Sequence, residues 1–475
     1  MAPQIFRHRV FSILFVLLGI TASALAAEPP IANRAVDKEQ RLLRWYQSHT
    51  VSAYKKAGYT NPSWDESAEN ALGIFSRGSA NLKSLTATDS TALYLSLSNA
   101  VSAGCNDPLI RYLHLLHGPG EPVTTQNEII EIWVRTADRL QKSEYATPLK
   151  FDAEIRPWKL WTEYNQQDPD HPPAHRAEAA RCYGEAFKLA VKVPKETNTP
   201  IEVVYEVMAE MEHVLAWDKG GLIKFYEAVK NELNKTWPQS AYVALFRGSF
   251  FVDYAWQARG SGLANTVSAQ GWKLFSERLT TADESLQKAW RLDPTLEAIP
   301  LKMISVELGK GRERERMELW FRRAMALNTN NQAACTAKLY YLLPQWHGSA
   351  KDMIDFGREC AASNNWGPDV AWTLIRAHER LVGYVSDPGE KKDYWKNPRV
   401  WADVKLSCEK YLLASPNGTN DARQACIFQA RRCEQWDEVN RQLGLLTSTN
   451  YNYFGGRAEF DKMARTAADK TKRTK

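Results

Sequence analysis

Residues 281–294 read Thr-Ala-Asp-Glu-Ser-Leu-Gln-Lys-Ala-Trp-Arg-Leu-Asp-Pro, and they constrain the fold more than any other stretch. Ala282, Leu286 and Ala289 recur at helical spacing on one face, and Leu292 continues it. Asp293-Pro294 then ends the helix, because proline lacks the N–H for the next bond and biases the preceding residue out of the α region. The small side chains matter most. Two antiparallel helices approach to about 8–10 Å only where their contact rows carry little bulk, so this helix is expected to be one arm of a close-packed hairpin.

At the start of the chain, Arg7, His8 and Arg9 precede an apolar run from Val10 to Ile20, and Ala24-Leu25-Ala26 is a small-x-small cleavage site. That is the pattern of a secretory signal over residues 1–26, and it predicts a periplasmic or secreted protein beginning near Ala27. An uncleaved anchor is the alternative. The run falls short of the roughly 20 residues a span needs, and no later stretch is long and apolar enough to be one. No cysteine follows it to take a lipid.

A hydrophobic fraction of 44% and a charged fraction of 24% are those of ordinary globular protein. Two or three domains or one elongated repeat array both fit 475 residues. The net charge of +6 includes Arg7 and Arg9 of the leader and is too mild to imply a nucleic-acid partner. The basic tail with Lys470, Lys472, Arg473 and Lys475 reads as a solvated, disordered end. Seven cysteines, at 105, 182, 335, 360, 408, 426 and 433, form no C-x-x-C pair or zinc spacing and read as buried thiols.

From Val36 to about Lys235, apolar residues three and four apart mark one helix after another, among them Lys38–Ala57, Phe151–Tyr164 and Ile201–Trp217. Ser63-Trp-Asp-Glu66 is a capping-box candidate, and Asp107-Pro108 and Thr199-Pro200 place a cap residue before a first-turn proline. A Pro- and Asp-rich break spans Gln166 to Pro173. No run of alternating strands occurs, so the reading is all-α, with residues 27–235 forming a helical N-terminal region.

Beyond Trp237 the chain resembles tetratricopeptide repeats, in which helical hairpins stack as a solenoid. Gly248 and Phe251 match the small and aromatic positions of a first helix at about Ser240–Gln257, and Ala282, Leu286, Ala289 and Pro294 match its second. Phe321 and Ala324, then Ile354 and Gly357, occupy equivalent second-helix positions, and helix ends recur near Pro294, Thr329 and Ser363, close to the roughly 34-residue period of such repeats. A fourth hairpin pairs Pro368–Leu381 with Val400–Ala414, and an atypical pair follows up to Leu446. The resemblance covers residues 236–446, with insertions near 258–280 and 383–398, the latter carrying the turn-like Asp387-Pro388-Gly389. A C-terminal segment, 447–475, completes the chain.

A narrower resemblance rests on Ser102-Ala-Gly-Cys-Asn-Asp-Pro-Leu109, Ala258-Arg-Gly-Ser-Gly262, Gly271-Trp272, Leu343-Pro-Gln-Trp-His-Gly-Ser349 and Phe356-Gly-Arg-Glu-Cys360. These phrases are similar to those of an uncharacterised family of exported bacterial proteins built on tetratricopeptide-like helices, a domain of unknown function. That resemblance implies export and a repeat architecture and supplies no catalytic residue.

Candidates for chemistry are sparse. His114 and His117, and His171 and His175, lack the third and fourth ligands of a metal site. Glu210-Met-Glu-His213 lacks the second histidine of a zinc-protease helix and reads as a solvated face. Arg259-Gly-Ser-Gly262 follows a helix, whereas phosphate cradles follow a strand. No Gly-x-Ser-x-Gly occurs, and Cys360 has no thiol-protease flanks. No catalytic residue, metal or cofactor is assigned.

Surface recognition remains. In stacked hairpins the first helices line a groove, and the alignment places Ser249, Asp253, Ser305, Thr336, Tyr340 and His378 there, with almost no lysine or arginine. Arg259, Ser261 and Trp272 of the first insertion are further candidates. Such a groove suits an extended peptide or a neighbouring protein, and the expected function is that of a binding scaffold. Two alternatives stand beside it. One is a glycan-binding module stacking sugars on Trp158, Trp161, Trp256, Trp272, Trp346, Trp366, Trp395 and Trp401; the other is an enzyme whose site is built from the N-terminal helices and the insertions.

Overall fold

The computed structural model describes residues 31–81, 85–118, 125–167, 173–413 and 419–473, so the expected signal sequence and the centre of the 166–173 break lie outside the described residues. Every regular element among the described residues is helical. The N-terminal region comprises α1 (Ile31–His49), α2 (Val51–Lys56), α3 (Asp65–Asn81), α4 (Ala87–Ser102), α5 (Pro108–His117), α6 (Gln126–Gln141), α7 (Thr147–Gln167), α8 (Pro173–Lys192), α9 (Ile201–Leu215) and α10 (Lys219–Thr236). Six further helices are α11 (Ala241–Arg259), α12 (Ala269–Leu292), α13 (Ala298–Lys310), α14 (Arg314–Leu327), α15 (Gln332–Tyr341) and α16 (Ala350–Ala362). The chain ends with α17 (Trp372–Val382), α18 (Pro388–Lys396), α19 (Pro398–Leu413), α20 (Thr419–Arg432), α21 (Trp436–Leu443) and α22 (Arg457–Arg473).

Local chemistry sets most boundaries. Asp107 accepts from the N–H groups of Leu109 and Ile110 at 2.9 Å, capping α5 ahead of Pro108. The expected single helix over 38–57 is broken at Thr50, whose hydroxyl donates to the Tyr46 carbonyl and meets Ser76 Oγ, both at 2.8 Å. Ser63 closes no capping box; Asp65 accepts instead from the Asn61 N–H and the Tyr54 hydroxyl. Pro200 rather than Thr199 is the residue before α9. A capping box does form between Thr125 and Glu128.

The core passes along the chain in overlapping clusters: α2 to α7, then α7 to α11, then α11 to α17, then α17 to α20, and last α20 to α22. Alternate helices also touch, α9 on α11, α11 on α13, α13 on α15 and α15 on α17. Within the hairpin of α11 and α12, Ala282, Leu286 and Ala289 are fully buried, and a Cβ added to Gly248 would stand 2.5 Å from Leu286 Cγ. That is the close approach their small neighbours predict.

Helix α12 begins at Ala269, so much of the first insertion lengthens the second helix of its hairpin. Two expectations need correction. Asp387-Pro388-Gly389 starts a helix rather than a turn, with the Asp387 side chain accepting from the Glu390 N–H at 2.9 Å. The basic end is helical through Arg473, because Met463 and Ala467 bury against Ile427, Ala430 and Val439. All seven cysteines are free and buried. No helix among the described residues is long and apolar enough to cross a membrane.

Candidate functional site

Residues one helical turn or two apart on α9, α11 and α13 face a common pocket of about 500 Å³. Helix α9 supplies Tyr205, Glu212 and His213; α11 supplies Ser249, Asp253 and Trp256; α13 supplies Lys302, Ser305 and Leu308; and Tyr340 of α15 closes one end. Trp217, 76% exposed, stands at the rim. The turn that carries it is pinned by the Gln257 side-chain amide, which donates to the Ala216 carbonyl at 2.7 Å.

At the centre of the pocket Lys302 Nζ donates to Glu212 Oε1 at 3.0 Å and to Asp253 Oδ2 at 3.3 Å. Burial pushes the Glu212 carboxyl up to about 8 against the opposing pull of Lys302. For Lys302, burial disfavours the charge, but the two carboxylates outweigh it and hold the ammonium above its ordinary range. The pocket can therefore gain or lose a proton at Glu212 while keeping Lys302 charged. Ser249 is 2% exposed and its hydroxyl has no hydrogen-bond partner among the described residues, a polar atom in the pocket wall that a ligand could satisfy.

A second, larger pocket of about 1080 Å³ shares Tyr340 with the first and is lined by Thr336, Arg376 and Arg380, with Leu301 and Leu343 as apolar wall. Arg376 donates to Thr336 Oγ1 at 3.2 Å and to Gln332 Oε1 at 2.7 Å.

Of the six groove positions expected from the sequence, Ser249, Asp253, Ser305 and Tyr340 meet in the first pocket, and Thr336 joins Tyr340 in the second. His378 lines neither. It is 3% exposed, with Nδ1 at 2.8 Å from the Tyr394 hydroxyl and Nε2 at 3.1 Å from Asp403, and its pKa is lowered by burial. Its insertion-side neighbour Tyr394 and the Arg358–Asp403 pair make it a strut between α17, α18 and α19. The two pockets also carry cations outside the six expected positions, Lys302 in the first and Arg376 and Arg380 in the second. Glu212 does not sit on a solvated face; it is 4% exposed. Its signal lay in its register: it follows Tyr205 by seven residues and lies beside the buried Met208, Met211 and Leu215.

The insertion residues have an internal role. Arg259 donates to the carbonyls of Gly260 and Gly262 at 3.0 and 2.8 Å, and its guanidinium lies over Trp256, Trp272 and Trp346 at 5.9, 5.8 and 5.0 Å. Phrases 258–262 and 343–349, far apart in sequence, thus meet beside the first pocket, while Ser261 stays exposed. Among the tryptophans considered for sugar stacking, Trp161 and Trp395 are 2% and 3% exposed, Trp158, Trp256, Trp346, Trp366 and Trp401 pack against the core, and only Trp272 is exposed. Trp217, not foreseen, is the more exposed ring.

Comparison with known protein families and with curated protein sequences finds no match for this chain.

Proposed function

We propose that this chain is an exported binding protein of tetratricopeptide-like build, whose hairpins stack as a solenoid and whose first helices form a groove for an extended segment of a protein partner. The observation that carries the reading is Tyr340, the wall common to two pockets lined by α9, α11, α13, α15 and α17. Together the pockets offer a run of sites along successive helices, aromatic and weakly acidic at one end and cationic at Arg376 and Arg380, which suits a chain with alternating side chains better than a compact metabolite. Export rests on the signal-like residues 1–26.

The test is selection of short random peptides on the mature protein, followed by calorimetry. A recurring peptide whose binding is lost in Tyr340→Ala and weakened in Asp253→Asn supports the proposal. Selection of no peptide, or of peptides indifferent to both substitutions, counts against it.

A second reading is favoured by one specific feature. Glu212 and Asp253 share an ammonium in a pocket walled by Trp256, Trp217 and Tyr340, at the seam of the N-terminal helices and the first insertion. A carboxyl that holds its proton near neutrality beside a second carboxylate is the equipment of glycan binding or hydrolysis. Titration with soluble chito- and cello-oligosaccharides, read by tryptophan fluorescence, separates this reading from the first.

A further inference from the structure

A separate cavity of about 460 Å³ lies among α1, α3, α7 and α9, away from the groove. Its walls mix apolar and charged side chains: Trp45, Phe151, Ile155, Val203 and Val207 are buried, and Tyr46 and Phe75 stand half-buried beside them. The rings form a chain, Trp45 edge-on to Tyr46 at 5.0 Å and Tyr46 edge-on to Phe75 at 6.2 Å. Five charged side chains also reach the cavity, and four of them are already matched. Asp152 accepts from the Tyr112 hydroxyl at 2.5 Å and lies 3.8 Å from Arg156, and Lys159 is paired with Glu210.

Glu206 is the remaining one. It makes no hydrogen bond or ion pair with a described residue, is solvent-exposed, and lines the cavity at its open side together with the aromatic side chains. Lys38 attracts it only through charge, making no ion pair with it, and its ammonium donates to the Tyr242 hydroxyl at 2.5 Å. An unmatched carboxylate at the solvent-facing edge of an aromatic-walled pocket attracts a cation with an apolar body, because the charge has no committed partner there and ring faces favour cations. A divalent metal ion is excluded by ligand number, since it would need several oxygen ligands and the other carboxylates are committed.

We propose that this cavity binds a small organic ammonium, an aryl- or alkylamine, with its cationic head on Glu206 and its apolar body against Trp45, Tyr46 and Phe75. The volume is that of a small-molecule site and too small for a folded partner or an extended peptide. The site is independent of the groove reading above.

Calorimetry of the mature chain with benzyl-, phenethyl- and hexylammonium, phenethyl alcohol and 3-phenylpropionate tests it. At least one ammonium should bind, phenethyl alcohol at least about tenfold more weakly than phenethylammonium, and the carboxylate not measurably. Glu206→Gln should bring the ammonium down to the level of the alcohol without shifting the thermal midpoint, and Trp217→Ala, in the other pocket, should leave ammonium binding unchanged. Failure of every ammonium to bind at about 10 mM, equal binding of alcohol and ammonium, or an unchanged affinity in Glu206→Gln would each overturn the assignment.

Discussion

Lys302 reaches across 90 positions of sequence to Glu212, at 3.0 Å, and with its other hydrogens to Asp253, at 3.3 Å. One ammonium thus ties α9, α11 and α13 together. Replacing it by methionine leaves the buried Glu212 carboxylate and the Asp253 carboxylate with no cation between them. We expect Lys302→Met to cost about 3 kcal/mol at pH 9, and less at pH 5, where Glu212 can take up a proton. Urea denaturation at both pH values checks this; an equal loss at the two would show that Glu212 does not take up the proton.

Glu212 itself has a pH signature. Its folded pKa, about 8, lies above the ordinary 4.5, so between those values the folded state holds a proton that the unfolded chain has released. The stability it contributes is fully present below about pH 4.5 and is lost as the pH rises through about 8. Glu212→Gln removes that dependence. Relative to the parent protein, the variant should gain at least about 1.4 kcal/mol on going from pH 5 to pH 9, the worth of one pKa unit. A flat difference across that range would mean that Glu212 is ionised throughout.

Two helical glycines should respond in opposite directions to alanine. At Gly248 a new Cβ would meet Leu286 Cγ at 2.5 Å and the Leu286 backbone nitrogen at 3.2 Å, so relief requires α12 to move. The overpacking, about 1–3 kcal/mol, outweighs the helix-propensity gain of about 1 kcal/mol, and Gly248→Ala should be net destabilising. Gly184, inside α8, has nothing within 4 Å of the added atom. Gly184→Ala should stabilise by up to about 1 kcal/mol. Thermal melts of the two variants decide it.

Trp217 is too exposed to support the fold. Trp217→Ala should leave the unfolding free energy within about 0.5 kcal/mol of the parent while weakening whatever ligand occupies the Ser249–Lys302 pocket by about tenfold or more. Calorimetry with a selected peptide, alongside a melt, measures both. A destabilised variant would instead show that the ring packs.

The helices were legible because their causes are local. Asp107 before Pro108 capped a helix as read, and Ala282, Leu286 and Ala289 took the buried face that their spacing marks. Where a reading went astray, a distant partner had intervened. Thr50 breaks a regular apolar pattern beside Ser76, and the basic tail stays helical because Met463 and Ala467 find α20 and α21. The candidate site was half legible for the same reason. Repeat alignment found Ser249, Asp253, Ser305 and Tyr340 by face, but Lys302 and Glu212 are ordinary charged helix residues until their helices are laid side by side.

The sequence by itself determined that this chain is helical, where most helices begin and end, and which faces are thin enough for close pairing, since each follows from contacts within a few residues. Only the tertiary structure decided which polar side chains meet. His378 became a buried strut rather than a groove residue, and Lys302 became the centre of a charge cluster. A repeat of 3.6 residues fixes the face a side chain occupies, but its partner across the pocket depends on the register and angle at which separate helices pack.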